Sequence, residues 1–127
     1  MGKHVLLVED EPNIIEAVSF LLSRDGWRVD THVDGATAVA RVHELSPDLV
    51  VLDHMLPGKS GMDILTELRS DDAFRDLPIL MLTARGQMRD RALAEEAGVS
   101  RFMTKPFSNT EVLNAVRDLM RVHSADG

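Results

Sequence analysis

Four short polar stretches in this chain each accompany an apolar run. Glu9-Asp10-Glu11 follows Val5 to Val8, Asp53 follows Leu49 to Leu52, Thr83-Ala84 follows Ile79 to Leu82, and Lys105-Pro106 follows Val99 to Thr104. Brought together, they would set several carboxylates beside one hydroxyl and one ammonium. Carboxylates crowded without compensation repel, and their pKa values rise. A divalent cation removes that repulsion, and an all-oxygen donor set suits a hard ion such as Mg2+, with Mn2+ as a substitute. A carboxylate beside such an ion can act as a nucleophile toward phosphorus, as in aspartyl-phosphate intermediates. Phosphoryl transfer then needs positioning and charge neutralisation more than covalent help. Mg2+ would neutralise one phosphoryl oxygen, Lys105 a second, and the Thr83 hydroxyl with nearby backbone N–H groups a third. Asp53 is the nucleophile candidate because it ends the most continuous apolar strand. Glu9 and Asp10, on a neighbouring strand, stand where metal ligands belong.

These residues meet only if the chain folds to place them at one edge. Val5-Leu6-Leu7-Val8 is apolar throughout, as a strand covered on both faces should be. Ile14, Val18, Leu21 and Leu22 then recur at helical spacing, with Gly26 as the stop. Trp27 to Val33 reads as a strand and Gly35 to Leu45 as a helix. Leu49 to Leu52 is the next buried strand, and Pro57, Gly58 and Gly61 mark a loop. Ile64, Leu65 and Leu68 stripe a third helix. Pro78 opens a strand, Met88 to Ala97 is a helix stopped by Gly98, and Val99 to Thr104 is the last strand. Ser108 and Glu111 form a capping box, Phe107 and Val112 stand where a hydrophobic staple would, and Val112, Val116, Leu119 and Met120 line the final helix.

The pattern is five β–α units in an α/β domain, with no repeat or linker. Such units predict a parallel sheet with helices on both faces and right-handed crossovers. In such sheets the functional site lies beyond the carboxyl ends of the strands, which is where the four polar stretches fall.

Composition narrows the function classes. The chain has 127 residues, so one domain over 1–127 is expected, with a core of about 3–122 and 123–127 as a tail or linker stub. Fourteen Lys and Arg against 21 Asp and Glu give a net charge of -7, which argues against direct nucleic-acid binding. There is no cysteine, so disulfides and thiolate chemistry are excluded. The apolar run near the N-terminus is too short for a signal peptide or a membrane span, so a cytoplasmic location is expected. His4, His32, His43, His54 and His123 show no metal-ligand spacing, and the side chain of His54 is expected to point away from Asp53. The Ala-rich helix from Met88 is the weakest amphipath and the element best suited to move in a switch.

The segments Leu7-Val8-Glu9-Asp10-Glu11, Leu52-Asp53-His54-Met55-Leu56-Pro57-Gly58, Leu82-Thr83-Ala84-Arg85 and Lys105-Pro106-Phe107 resemble, in order and spacing, the motifs of response regulator receiver domains of two-component signalling. Within that family the chain is similar to receivers of the DNA-binding transcriptional regulators. The resemblance implies a flavodoxin-like doubly wound sheet of strand order 2-1-3-4-5. It makes Asp53 the phosphoacceptor and gives Mg2+ to Glu9, Asp10, Asp53 and the backbone carbonyl of Met55. It assigns the phosphoryl contacts to Thr83 and Lys105, an aromatic switch to Phe102, and a cis bond to Lys105–Pro106. Glu9 departs from the commoner Asp at its position, a variant whose longer side chain can reach the ion through water. The positions that tune phosphate lifetime in the family are Met55 and Arg85, neither a good base for an attacking water, so slow autodephosphorylation is expected.

The resemblance further implies phosphorylation by a sensor histidine kinase or a His-phosphotransfer protein. Output is then expected through the face formed by helix 4, strand 5 and helix 5, toward a partner protein or an output domain. Relatives that dimerise through that face pair acidic residues at the fifth strand with basic ones on the last helix. Here Ser100, Arg101, Ala115 and Val116 fill the matching stretches, leaving Arg91 and Glu111 as one intersubunit pair, so a monomer or weak dimer is expected. A stand-alone receiver and a receiver detached from a DNA-binding regulator both fit.

Other function classes fit less well. A flavin electron-transfer protein would need a first loop offering N–H groups to phosphate, where Glu9-Asp10-Glu11 would repel it. It would also want stacking aromatics, and the chain has one Trp, no Tyr and four Phe. An Asp-nucleophile phosphatase would carry a second Asp where Met55 stands. A phosphate-independent receiver-like interaction domain is the alternative, against which Asp53, Thr83 and Lys105 argue.

Overall fold

Leu49, Val50, Val51 and Leu52 are all fully buried, which a strand achieves only in the middle of a sheet covered on both faces. The computed structural model describes residues 3–84 and 88–126, without the side chains of Met88, Arg89 and 122–126. Five parallel strands are present: β1 (Lys3–Val8), β2 (Trp27–His32), β3 (Leu49–Asp53), β4 (Ile79–Thr83) and β5 (Arg101–Thr104). They lie in the order β2-β1-β3-β4-β5, the doubly wound order expected. Between and after them run α1 (Pro12–Arg24), α2 (Ala38–Leu45), α3 (Gly61–Arg69), α4 (Met88–Glu96) and α5 (Asn109–Asp126).

Strand alternation sorts the core into two layers. Val5, Leu7, Val51, Leu80, Leu82 and Met103 pack with residues of α1 and α5. Leu6, Val8, Val50, Leu52, Ile79 and Met81 pack with residues of α2, α3 and α4. The same parity extends past the strand ends. Glu9, Asp53 and Lys105 fall on the α1/α5 side, whereas His54, Thr83 and Phe102 fall on the α2–α4 side.

Several boundaries differ from the sequence expectation for local reasons. Gly35–Thr37 is a 3-10 turn and not the start of α2, because the Asp34 side chain accepts from Ala36 N–H. Gly61 opens α3 and is not loop, since the Ser60 hydroxyl caps the Asp63 N–H. The fifth strand begins at Arg101. Val99 N–H donates instead to Ala94 O, closing α4, and Ser100 bonds to Ile79. The predicted capping box is present: Ser108 N–H donates to Glu111 Oε1 at 2.8 Å and Glu111 N–H to Ser108 Oγ at 3.1 Å. No helix among the described residues is long and apolar enough to cross a membrane.

Candidate functional site

The parallel register brings the polar strand ends level. Val8 pairs with Leu52, so Glu9 stands beside Asp53. Asp53 pairs with Leu82, and Thr83 with Thr104, which precedes Lys105. Backbone hydrogen bonds continue the ladder past the strands: Glu9 N–H to His32 O at 2.9 Å, His54 N–H to Leu82 O at 2.8 Å, and Lys105 N–H to Thr83 O at 2.7 Å. The Glu9, His54 and Lys105 backbones are therefore each tied to a neighbouring strand.

Gly61 allows the close approach that shapes the rear of the site. A Cβ there would collide with the Asp53 carbonyl oxygen and lie 2.8 Å from His54 Cα. The Gly61 N–H also donates to His54 O at 2.8 Å, tying the start of α3 to the acceptor strand.

Asp53 is 2% exposed and Glu9 and Thr83 are fully buried, whereas Asp10 and Glu11 are open to solvent. One carboxylate oxygen from each of Glu9, Asp10 and Asp53 lies within 4.8 Å of the others. Lys105 Nζ reaches across them, 2.9 Å from Glu11 Oε1, 3.3 Å from Asp53 Oδ1 and 3.2 Å from Glu9 Oε1. Burial, followed by the neighbouring Asp53 charge, pushes the Glu9 carboxyl up to about 7, against the lowering effects of the Glu11 N–H and Lys105. Burial disfavours the charged Lys105 ammonium, but Glu11, Asp53 and Glu9 together outweigh it and raise its pKa.

These residues fit a divalent cation. Glu9 Oε1 is buried with no aligned hydrogen bond among the described residues, despite the nearby ammonium. A buried acceptor left in that condition is costly, and an ion bound by the three carboxylates would satisfy it. The donor set is all oxygen, as a hard ion prefers.

The sequence candidates converge with few exceptions. Glu9, Asp10, Asp53 and Lys105 meet at the carboxyl ends of the strands, and Thr83 ends the adjacent strand β4. Met55 begins the following loop with its side chain 58% exposed, leaving no base over Asp53 from that position. Phe102 is half-buried against the α2–α4 layer, on the same face as Thr83. Arg85 lies outside the described residues. The Lys105–Pro106 bond is cis, as expected.

Ala115 and Val116 require a correction. They are fully buried in the α1/α5 layer and cannot belong to an outward interface stretch. The outward charges nearby pair within the chain, Arg101 with Asp118 at 3.6 Å and Arg91 with Glu95 at 3.7 Å. Glu111 is engaged in its cap.

Two features escaped the sequence reading. Glu11 was grouped with the acidic cluster but not recognised as a direct partner of Lys105. The other is His54, which points away from Asp53 as expected and toward α4, with Nε2 3.4 Å from Asp90 Oδ2. Strand parity could have placed it there.

A family model described as "Response regulator receiver domain" matches residues 5–117. The chain is 45% identical over 117 residues to the probable transcriptional regulatory protein TcrX of Mycobacterium tuberculosis, covering 92% of this chain and 49% of that protein. It is 40% identical over 121 residues to the phosphate regulon transcriptional regulatory protein PhoB of Escherichia coli, covering 95% of this chain and 53% of that protein. The chain thus spans about half the length of these curated relatives. Among solved structures, a putative response regulator from Chloroflexus aurantiacus superposes with a TM-score of 0.90 at 28% identity, covering 95% of this chain and 99% of that one. The receiver domain of a Pseudomonas aeruginosa sensor histidine kinase, solved with a magnesium ion coordinated in its active-site cleft, gives a TM-score of 0.82 at 32% identity, covering 95% and 97%.

Proposed function

Because this chain belongs to the response regulator receiver domain family, whose members are phosphoacceptor switches of two-component signalling, we propose that Asp53 is its phosphoacceptor and that the surrounding residues serve the transfer. The observation that carries this reading is the buried Asp53 carboxylate held 3.3 Å from the Lys105 ammonium and grouped with Glu9 and Asp10.

In the transfer, an Asp53 carboxylate oxygen forms the bond to phosphorus. The bond from phosphorus to the donor nitrogen of a phosphohistidine breaks, and the nitrogen keeps the electron pair. Glu9, Asp10, Asp53 and the Met55 backbone carbonyl would hold Mg2+, or Mn2+ with the same preference for oxygen. The ion supplies charge neutralisation at the phosphoryl oxygens when bound. Lys105 exchanges its carboxylate partners for a phosphoryl oxygen, and the Thr83 hydroxyl donates to another. The domain's own catalysis is limited to this self-phosphorylation and a slow autodephosphorylation.

Phosphorylation adds up to about two negative charges at Asp53. Drawing Thr83 inward frees space on the α2–α4 side, into which Phe102 turns. The face of α4, β5 and α5 is thereby biased toward its active arrangement for a downstream protein or output domain. The donor is a sensor histidine kinase or a His-phosphotransfer protein. Mg2+-dependent covalent phosphorylation by acetyl phosphate tests the acceptor assignment. Following the phosphorylated fraction after removing the donor tests the lifetime: decay over minutes or longer is expected, and loss within seconds contradicts it.

A further inference from the structure

His54 follows the acceptor directly yet belongs to the opposite side of the sheet. Its backbone is clamped, with its N–H donating to Leu82 O and its carbonyl accepting from Gly61 N–H. Its side chain is not: the residue is 9% exposed, and neither ring nitrogen has a hydrogen-bond partner among the described residues. The Asp90 carboxylate, in the first turn of α4, stands within ion-pair reach at 3.4 Å but out of hydrogen-bond alignment. Buried polar groups in native proteins are ordinarily satisfied, so an imidazole left poised beside a carboxylate calls for an explanation.

The attachment of α4 supplies one, because the helix is held unequally along its length. Its C-terminal end is closed by Gly98 in the left-handed region (φ 97°), with Gly98 N–H donating to Glu95 O and Val99 N–H to Ala94 O. Arg69 then clamps this end, donating to Gly98 O and Phe74 O at 2.8 Å each and to Ser100 Oγ at 3.2 Å. Along the helix, Ala94 is fully buried, while Arg91, Ala92, Leu93, Glu95 and Glu96 are exposed. At the other end, Asp90 stands within ion-pair reach of His54. A helix pinned at one end can pivot, and a small tilt at the other end makes or breaks the His54–Asp90 pair.

We propose that His54 is a positioning residue that couples the acceptor strand to α4. In the unphosphorylated protein the His54–Asp90 pair holds the first turn of α4 against the sheet. When phosphorylation of Asp53 biases α4 toward its active arrangement, the clamped His54 stays in place, the pair is remade or lost, and α4 pivots about the Arg69 clamp. This inference rests on the reading of Asp53 as the acceptor.

A double-mutant cycle of His54→Leu and Asp90→Ala tests it. The first readout is amide hydrogen exchange in the unphosphorylated, metal-free protein over residues 91–96, with α2 and α5 as references. Each single substitution is expected to speed exchange in α4 alone, by about threefold or more, and the double variant no further. Loss of the favourable Asp90–helix dipole interaction alone would persist in the His54→Leu background, and the two factors would then multiply. Multiplying effects, or no change in α4, would overturn the proposal. The second readout is the rate of phosphorylation by acetyl phosphate with Mg2+, expected to rise by one common factor in all three variants. Should His54→Leu fail to fold, Asp90→Asn against Asp90→Glu repeats the exchange measurement, with Glu expected to restore protection and Asn not; equal protection in both overturns the coupling. Wild-type protein that takes no phosphoryl group would refute the acceptor reading instead, and the exchange arm would still decide whether His54 holds α4.

Discussion

Lys105 Nζ lies 3.3 Å from Asp53 Oδ1 although 52 residues separate them, because β5 and β3 flank β4 and end level with it. The ammonium lies within ion-pair reach of three carboxylates at once, and it is the one cation found among them in the described residues. Lys105→Ala therefore has two opposed expected effects. Phosphorylation by acetyl phosphate slows by on the order of 100- to 1000-fold, as for loss of a preorganised charge partner. Mg2+ affinity, in contrast, stays equal or rises, because a competing cation has gone. Parallel loss of both would indicate a collapsed site in place of a missing contact.

Glu9 makes the site sensitive to pH. Its carboxyl has an ordinary value of 4.5 and is raised to about 7 in the folded, metal-free protein. A raised folded value means that its contribution to stability is fully present below about 4.5 and is lost as pH rises through about 7, on the order of 3 kcal/mol in all. Metal-free protein should lose melting temperature between these values, and Glu9→Gln should flatten that loss. Mg2+ needs the ionised form, so it binds more tightly as pH rises toward and past 7 and displaces a proton below it. Titration calorimetry in two buffers of different ionisation enthalpy would register that proton. Buffer-independent heats near pH 6 would contradict the assignment of Glu9 as a ligand.

Gly61 couples fold to site. Adding a methyl in Gly61→Ala must push back the Asp53 and His54 backbone, which is itself held by β4 and α3. A loss of about 1–3 kcal/mol in stability is expected from overpacking at backbone atoms, with a slower phosphorylation rate. Denaturant unfolding and a phosphorylation time course check the two. Wild-type values in both would show that α3 is free to move away.

Much of this was legible because parallel sheets write themselves as apolar runs. Val5 to Val8, Leu49 to Leu52 and Ile79 to Leu82 announced buried strands, and the residues after them announced the site. Asp53, Glu9 and Lys105 needed only the strand-end rule to be brought together. The hydroxyl cap of Ser108 was legible too, since its partner Glu111 lies three residues away. Contacts between distant elements were not. Arg69 reads as an ordinary cation in the last turn of a helix, yet its three acceptors come from Gly98, Phe74 and Ser100. Ala115 and Val116 fall in the stretch where dimerising relatives carry basic residues, a departure that argued against that dimer, and the rotation of α5 in fact buries both. His54 looked idle for the converse reason: its partner Asp90 sits in another element, and only the parity of β3 points toward it.

The most direct test is the intact mass of the protein after incubation with acetyl phosphate, with and without Mg2+, for wild type and Asp53→Asn. A gain of one phosphoryl mass in wild type only when Mg2+ is present, absent from Asp53→Asn, is the predicted result. No gain in wild type under either condition, or an equal gain in the variant, would contradict Asp53 as the acceptor.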